Sequence, residues 1–357
     1  MRFGLASPVL AVLLLFSAAS RPAQAIPLFA HRFGVSCQTC HTVVPRLNGF
    51  GERFRDAGYR WPAPVRANAA FPVAMKANLA YASAADPSGL PKAIVDEVEF
   101  LTMGSAGAHL NYRVEQYAID GGRIGSTRDA YVAYSSDPLA AWRETRRPTI
   151  GVTVGQFTLP LPDDPETMRP TQNHYAVFDQ TVGSNPFVFF DDRLGVQIGA
   201  SLRDADAHLV AATNGDRMLA ARVGTPELSL HGYAYRGARA LGTVRDAFWR
   251  RGVAVTSVRG KARTSLLAQT GKDSSADGRG NAAFSSGGYA QEEWAFSDRL
   301  IGVVRYDSAN TAGSPLRSTT FALNFRPFDR VRFSVEGVFA TRPATQRTLN
   351  VAWLFAY

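Results

Sequence analysis

The sequence predicts a mainly β fold, an outer-membrane β-barrel preceded by a small helical module. From about residue 70 onward, apolar side chains recur at every second position, with polar or small residues between them. Strands with one apolar face and one polar or small face are typical of membrane barrels with a wet lumen. No apolar stretch after residue 25 is long enough for a membrane-spanning helix, which needs about 20 residues.

The alternation is clearest in five segments, residues 71–81, 110–115, 194–202, 319–325 and 331–339. About 14 to 16 strands can be placed along the chain, and bacterial single-chain barrels have even strand numbers. Sixteen strands over residues 70–357 leave about 18 residues for each strand with its turn, enough for the roughly 9–11 residues that span a bilayer. Fourteen is the alternative number, because the pattern is weak at 205–225 and 243–258.

A soluble β-sandwich also alternates, but its apolar face is the inner one, so periodicity alone leaves both folds open. The C-terminus favours the barrel. The last alternating apolar positions are Leu349, Val351, Trp353, Phe355 and Tyr357, a run that ends on an aromatic residue. This ending is similar to the C-terminal insertion signal of bacterial outer-membrane barrels.

Residues 1–25 are predicted to be a secretory signal peptide. Arg2 supplies the positive charge, residues 9–16 form a short apolar core, and Ala23-Gln24-Ala25 fits the cleavage pattern. The apolar core is too short to span a bilayer. We therefore expect export, with residues 26–65 as a small module and residues 66–357 as the barrel.

The segment Cys37-Gln38-Thr39-Cys40-His41 is typical of a c-type haem attachment site. Each thiol bonds one vinyl group of the haem, and the adjacent histidine becomes an axial ligand of the iron. The chain has only these 2 cysteines, so no disulfide framework or zinc site competes for them. A chance match and a redox CxxC pair are the alternatives. We expect one covalent haem c on Cys37 and Cys40, with His41 as axial ligand.

After the haem motif, Val44-Pro45 is expected to open a helix, because proline is favoured at a first helical position. Its apolar face would carry Leu47, Phe50 and Phe54, and Gly58 would end it. A module of about 40 residues is too small to form its own core without a staple. Covalent haem is such a staple, and the barrel is expected to cover the rest of the porphyrin.

The second axial ligand is left open. His31 is the first candidate, because it lies within the module, six residues before Cys37. Any histidine or methionine that points into the lumen is an alternative, and the candidates are His109, His231, Met75 and Met103. Haem proteins also function without a distal ligand, in which case the iron is open to small molecules.

Two irregular regions interrupt the strand pattern. Residues 159–186 contain several prolines and are expected to fold inward or cap a mouth, and residues 271–287 are expected to form a flexible outer loop. The acidic pairs 163–164 and 191–192 fit solvated loop carboxylates better than a metal site. The net charge of +9 does not indicate nucleic acid, because the basic residues are scattered and the protein is exported; arginines on lumen-facing positions explain it.

The segment from Pro27 to Gly34, the motif Cys37–His41, and the later positions 45–47, 50–51, 54 and 58–59 form a recognisable set. They resemble the N-terminal module of the fused outer-membrane monohaem cytochrome–porins of iron-oxidising bacteria. The match covers about residues 27–60. The chain departs from that pattern at residues 42–44, where an aromatic segment is expected, and at His31, which leaves the electron donor open.

The resemblance implies an electron carrier in the bacterial outer membrane. Its partners would be outer-membrane lipid, an extracellular donor for which Fe(II) is a candidate, and a periplasmic cytochrome or similar acceptor. The alternative function is a solute-conducting porin in which the haem module is a plug or sensor. A third is a haem enzyme with an open site that acts on peroxide or a nitrogen oxide, although the sequence offers no identifiable distal acid–base pair.

Overall fold

The computed structural model describes residues 28–63, 73–84, 91–143, 147–165, 168–342 and 345–356, so the expected signal peptide lies outside the described residues. The described N-terminal segment contains helix α1 (Leu28–Phe33), a short turn of 3-10 helix (Cys37–Thr39), a hairpin that pairs His41–Val43 with Arg46–Leu47, and helix α2 (Gly49–Asp56). Among the described residues, no helix has the length and apolar character needed to cross a bilayer.

Sixteen long antiparallel strands, counted over the described part of the chain, form one closed barrel. They are β1 (Ala74–Ala82), β2 (Ala93–Ala106), β3 (Leu110–Asp120), β4 (Thr127–Ser135), β5 (Thr149–Phe157), β6 (Arg193–Leu202), β7 (Ala205–Ala212), β8 (Arg217–Gly224), β9 (Leu228–Leu241), β10 (Val244–Arg259), β11 (Ala262–Asp273), β12 (Ala283–Ser297), β13 (Leu300–Thr311), β14 (Ser314–Phe328), β15 (Val331–Arg342) and β16 (Gln346–Ala356). A two-residue strand, Arg123–Ile124, extends the β3–β4 hairpin.

Each strand pairs with its neighbour in the chain, and β16 pairs with β1 to close the ring, with Val351 opposite Tyr81. The predicted number of sixteen strands is confirmed and the alternative of fourteen is wrong. The weak patterns at 205–225 and 243–258 are strands β7, β8 and β10, in which alanine, glycine and arginine dilute the alternation.

The side chains of the strands point in the directions expected for a membrane barrel. Leu323 and Phe325 are 52% and 44% exposed on the outer face, whereas Asn324 and Arg326 between them are 1% and 3% exposed in the lumen. A soluble sandwich has the opposite arrangement, with apolar residues inside. The barrel prediction is therefore confirmed, since the apolar face is the outer one.

The two ends of the barrel differ. We call near mouth the end where β1 begins and β16 ends, and far mouth the opposite end. Near-mouth connections are mostly two or three residues long, such as 203–204, 260–261 and 298–299. The longest connection, residues 158–192, starts and ends at the far mouth and contains the short helix α3 (Ala176–Asp179).

This long connection, the lumen loop (residues 158–192), folds inward. Tyr175, Phe178 and Phe189 are 0%, 1% and 2% exposed, and they pack against the inner wall formed by strands β7 to β12. Arg305 of β13 donates to the Asn173 and His174 carbonyls, both at 2.8 Å. The expectation that this irregular segment folds inward is thus confirmed, and the loop fills one side of the lumen.

Two local predictions were wrong. Val44-Pro45 does not open a helix: it forms the turn of the hairpin, with Val43 opposite Arg46. Residues 271–287 are not one outer loop, because β11 and β12 pair from Asp273 and Ala283 onward and leave only residues 274–282 as the connection. In both cases pairing with a neighbouring strand outweighed the local preference of proline, glycine and serine.

The outer face can be tested by one pair of neighbouring substitutions in β6. Ile198 is 49% exposed on the outside, and Gln197 beside it faces the lumen and contacts His208. We expect Ile198→Arg to lower the free energy of unfolding by about 2–4 kcal/mol in lipid vesicles, because arginine is poorly tolerated in the apolar band. Gln197→Arg should change it by less than about 1 kcal/mol. Urea titration measures both, and equal losses would contradict a lipid-facing outer surface.

Candidate functional site

The N-terminal segment lies against the near mouth. Gln38 donates to Asp329 in the β14–β15 turn at 3.1 Å, and Arg60 donates to the Gly107 carbonyl in the β2–β3 turn at 2.9 Å. Trp142, in the connection between β4 and β5, donates from Nε1 to the Arg60 carbonyl at 2.9 Å. The segment is therefore held at several points around the rim.

The haem motif occupies the turn before the hairpin. His41 has its Nδ1 3.0 Å from the Pro45 carbonyl oxygen, which selects the tautomer that carries the proton on Nδ1. Burial lowers the pKa of His41, so the ring is neutral near pH 7. In that tautomer Nε2 keeps its lone pair for a metal, and a carbonyl partner on the other nitrogen is the usual support of a metal-bound histidine.

Cys37 begins the short 3-10 turn and Cys40 directly follows it. Cys37 is buried and Cys40 is half-buried, and they form no disulfide. Burial raises the pKa of both thiols, that of Cys40 to about 11. Redox-active CxxC pairs are marked by a lowered cysteine pKa, so this site does not resemble one.

Asn48 fixes the backbone of the motif. Its Oδ1 accepts from the Phe50 and Gly51 amides at 3.0 Å each and so caps helix α2. Its Nδ2 donates to the Gln38 carbonyl at 2.9 Å, and its own amide donates to the Cys40 carbonyl at 2.9 Å. One residue thus ties the start of α2 to both ends of the CxxC turn.

The role of Asn48 was not predicted from the sequence. The available signal was an asparagine directly before a helical segment with Glu52 in its first turn, which is an N-cap pattern. The helix was instead predicted to begin at Val44-Pro45. The predicted end is correct: α2 stops at Asp56, and Gly58 follows with a φ of 60°.

Helix α2 packs directly on the haem motif. A Cβ at Gly51 would collide with the Cys40 carbonyl and with the Leu47 side chain, so only glycine permits this approach. Of the predicted apolar face, Phe50 and Phe54 are confirmed, since they join an aromatic cluster, whereas Leu47 lies in the hairpin strand and not in the helix. The cluster also contains Phe29, Phe33, Tyr59 and Trp61 of the segment and Trp142 of the barrel rim.

These features fit a covalent c-type haem. The chain offers two free thiols on one turn, an adjacent histidine with the correct tautomer, and apolar rings nearby to cover a porphyrin face. Among the described residues no group of three or more His, Cys, Asp or Glu side chains could hold a metal by itself. The residues present would hold haem through Cys37 and Cys40, with Nε2 of His41 toward the iron.

Arg46 anchors the hairpin inside the lumen. Its side chain is 1% exposed and forms ion pairs with Asp163 of the lumen loop at 3.2 Å and with Glu293 of β12 at 3.3 Å. Tyr289 donates to Asp163 at 2.8 Å. These positive and hydrogen-bonding neighbours lower the pKa of Asp163 to about 2 despite its burial. The expectation of a solvated carboxylate is therefore wrong for Asp163.

The candidates for the second axial position are scattered. His31 is half-buried in α1. It lies two residues from both Phe29 and Phe33, which pack on α2, so it projects from a different face of that helix. Its role as ligand stays a prediction.

Of the four other candidates for the second axial ligand, two face the lumen and two do not. His231 shares the inner face of β9 with the buried Tyr233, and Met103 lies opposite the lumen-facing Arg113. Met75 shares the outer face of β1 with Leu79, and His109 lies in an exposed near-mouth turn, where its Nδ1 is 2.8 Å from the Ser135 carbonyl. Lumen placement was therefore wrong for Met75 and His109.

A polar cavity of about 450 Å³ lies beside the module on the β1 side of the barrel. It is lined at one end by Pro45 and Arg332, and at the other by Ala84 and Gly121 in far-mouth connections. Along β1 its wall runs from Lys76 to Ala82, roughly 20 Å of extended strand. The cavity thus leads from the far mouth to the residue whose carbonyl holds His41.

The Arg46–Asp163 contact should depend on pH. Because the pKa of Asp163 falls from its ordinary 3.8 to about 2 on folding, the pair contributes full stability above about pH 4 and loses it as the pH falls toward 2. Asp163→Asn should cost about 3 kcal/mol at pH 7. Urea unfolding from pH 7 to pH 2 should show this difference shrinking in acid. A difference that stays constant would contradict the assignment.

No family model and no curated protein matches the chain. Among solved structures, an anion-selective porin from Comamonas acidovorans superposes with a TM-score of 0.61 at 12% identity, over 80% of this chain and 98% of the porin. OmpF of Salmonella typhi, in complex with daunomycin, gives 0.57 at 8% identity, over 80% and 96%. The outer membrane channel DcaP of Acinetobacter baumannii gives 0.54 at 9% identity, over 80% and 96%. At these identities the likeness establishes that the chain has a porin-type barrel fold.

Proposed function

We propose that this protein is a c-type monohaem electron carrier of the bacterial outer membrane, in which one covalent haem c is sheltered at the near mouth of the barrel. The observation that carries the proposal is the contact of His41 Nδ1 with the Pro45 carbonyl, within a CxxCH turn. This contact prepares Nε2 for iron, and the two thiols of the motif are free.

The chain's own residues would bind the haem, orient its histidine ligand and shield it from water. Cys37 and Cys40 hold the porphyrin covalently, and Asn48 keeps their turn rigid against α2. The Pro45 carbonyl keeps the imidazole of His41 in one tautomer, and Phe50 with Trp61 limits the access of water. When bound, haem supplies a reversible one-electron couple, whose potential depends on its ligands and on burial.

The outer face supports a position in the outer membrane. Large apolar side chains, such as Val253 at 60% and Leu323 at 52% exposure, cover the outside of a closed ring of strands. Membrane barrels have short periplasmic turns and longer extracellular loops. Because near-mouth turns are mostly short, the near mouth with its haem module would face the periplasm.

This orientation gives electrons a route. An apolar band is about 25 Å tall, so a haem at one mouth would be far from the opposite side. The cavity that runs from the far mouth to Pro45 shortens that gap by admitting a small donor, for which Fe(II) is a candidate. A periplasmic cytochrome or similar acceptor would dock at the rim that Gln38 and Asp329 form.

The second candidate is a solute-conducting porin in which the N-terminal segment is a plug. The barrel's likeness to porins, including one described as anion-selective, favours it. The packing of the lumen weighs against bulk conduction, because Tyr175, Phe178 and Phe189 of the lumen loop fill one side and the Arg46 hairpin enters from the near mouth.

The first experiment is an anaerobic visible spectrum of the detergent-purified protein, before and after Fe(II), with dithionite as the control. We expect a sharp ferrous α-band with dithionite, and the same band with Fe(II) if iron is the donor. Reduction by dithionite but not by Fe(II) would agree with an electron carrier and would exclude Fe(II) as its donor. A wild-type protein without haem would refute the proposal.

Substitution of the cysteines tests the attachment. The Cys37→Ala/Cys40→Ala double variant should carry no covalent haem on a denaturing gel, whereas each single variant should keep one thioether. Ser36→Ala, directly before the motif, is the matched control and should keep full attachment. His31→Ala should convert a low-spin spectrum to high-spin if His31 is the distal ligand, and should leave it unchanged otherwise.

Single-channel conductance separates the two functions. The wild-type protein should conduct far less than an open porin of equal strand number, because segment and loop occupy the lumen. Arg46→Met removes the hairpin's ionic anchor and should increase the conductance severalfold. High wild-type conductance that Arg46→Met leaves unchanged would favour the solute-conducting porin.

A further inference from the structure

We infer that the cavity on the β1 side is a binding site for a small oxyanion or carboxylate, held between Arg169 of the lumen loop and Arg332 of β15. The inference goes beyond electron transfer, because it needs neither haem nor a particular donor. It rests on the cavity and on the two guanidinium groups that line it, each of which has a buried N–H group without a hydrogen-bond partner.

Both arginines line the cavity close to the tip of the hairpin. Arg332 is 5% exposed; it donates from Nη1 to the Val44 carbonyl at 2.7 Å, and its Nε has no hydrogen-bond partner. Arg169 donates from Nε to the Thr171 carbonyl at 2.8 Å, and its buried Nη1 has none. In the described ranges, neither guanidinium forms an ion pair.

The carboxylates of the cavity are already engaged. Glu97 lies 3.6 Å from Lys76, and Asp120 lies 3.7 Å from Arg128. Asp96 accepts from the side chain of Asn78 at 3.0 Å.

The remaining carboxylates near the cavity are engaged as well. Asp179 lies 3.5 Å from the ring of His174. Glu336, a neighbour of the two arginines, accepts from the amides of Gln172 and Asn173 at 2.7 and 2.8 Å and from Asn350 at 3.1 Å. Glu97 and Glu336 still attract both arginines electrostatically, but among the described residues neither acid forms an ion pair with Arg169 or Arg332.

A buried N–H group without a hydrogen-bond partner is unfavourable, and Arg169 and Arg332 each have one. Burial and the nearby Arg305 lower the pKa of Arg169. An anion between them would supply acceptors to Nη1 of Arg169 and Nε of Arg332.

The chemistry of the donors defines the ligand class. A planar guanidinium pairs with carboxylate or phosphate oxygens through parallel hydrogen bonds, which a halide cannot reproduce. A cavity of about 450 Å³ has room for phosphate or a small di- or tricarboxylate. The far-mouth connections at its other end give such an anion a path from outside. A haem propionate carries the same chemistry and is the alternative source.

The test is isothermal titration of the haem-loaded, detergent-purified protein with phosphate and, separately, with citrate, at constant ionic strength. We expect saturable binding by the wild type. Arg169→Gln and Arg332→Gln should each weaken it by about tenfold or more, because a charge-assisted contact is lost. Arg279→Gln, an exposed far-mouth arginine outside the cavity, is the matched control and should bind as the wild type does.

Arg332 also holds the hairpin, so Arg332→Gln could disturb the module itself. Arg169→Gln lacks that contact and tests the site alone, with the heat-dependent gel mobility of the barrel as the folding check. Absence of saturable binding by the wild type would overturn the inference. Equal weakening of anion binding in Arg279→Gln would overturn it as well. A third contrary result would be a haem potential that changes in Arg332→Gln but does not respond to added anion, because that result assigns the Arg332 guanidinium to a haem propionate.

The outcome is separable from that of the proposed electron transfer. A protein without haem that still binds phosphate or citrate through Arg169 and Arg332 would refute the carrier and keep the anion site. A protein that carries haem but binds neither phosphate nor citrate would keep the electron carrier and refute the anion site.

Discussion

Arg46 joins three parts of the molecule that are far apart in the sequence. Its guanidinium, within the hairpin that follows the haem motif, lies between Asp163 of the lumen loop and Glu293 of the barrel wall. A buried ion pair of this kind contributes little net stability compared with an apolar contact, but breaking it leaves an uncompensated charge. Its effect is to join the hairpin, the loop and the wall at one buried point.

That arrangement determines the environment of the candidate haem site. The hairpin that Arg46 anchors also carries Pro45, whose carbonyl bonds His41, and Arg332 holds the Val44 carbonyl from the wall at 2.7 Å. Asn48 then connects the hairpin to α2 and to the CxxC turn. The module is too small to form a stable core by itself, and buried polar contacts with the barrel hold it in place.

The two sides of the barrel lumen differ in how they are filled. On the side of β7 to β12 the lumen loop packs as an apolar core, with Tyr175, Phe178 and Phe189 almost fully buried. On the side of β1 a polar cavity remains, lined by Lys76, Arg169 and Arg332. A porin-type fold that keeps one narrow polar passage suits a small reactant that must approach a sheltered group better than it suits the free diffusion of solutes.

Much of this could be predicted from the sequence, because some features depend only on neighbouring residues. The period of two in residues such as Leu323, Asn324 and Phe325 is a property of the strand itself. The range of 14 to 16 strands followed from the number of alternating segments, and the expectation that residues 159–186 fold inward or cap a mouth followed from their irregular, proline-containing composition. Gly58 ends α2 as expected, since a positive φ is local. The spacing of Cys37, Cys40 and His41 is likewise local, so it predicts haem without the tertiary structure.

Other features needed the tertiary structure. Pro45 was assigned to a helix, but the hairpin pairs Val43 with Arg46, and Asn48 caps the helix instead. Whether Met75 or Met103 faces the lumen depends on strand register, and a one-residue shift exchanges the two faces. The burial of Asp163 and the unpartnered N–H donors of Arg169 and Arg332 depend on residues more than a hundred positions away. Sequence determines the chemistry that each residue offers, whereas the closure of the barrel decides which charges meet and which are left unpaired, because pairing energy falls steeply with distance.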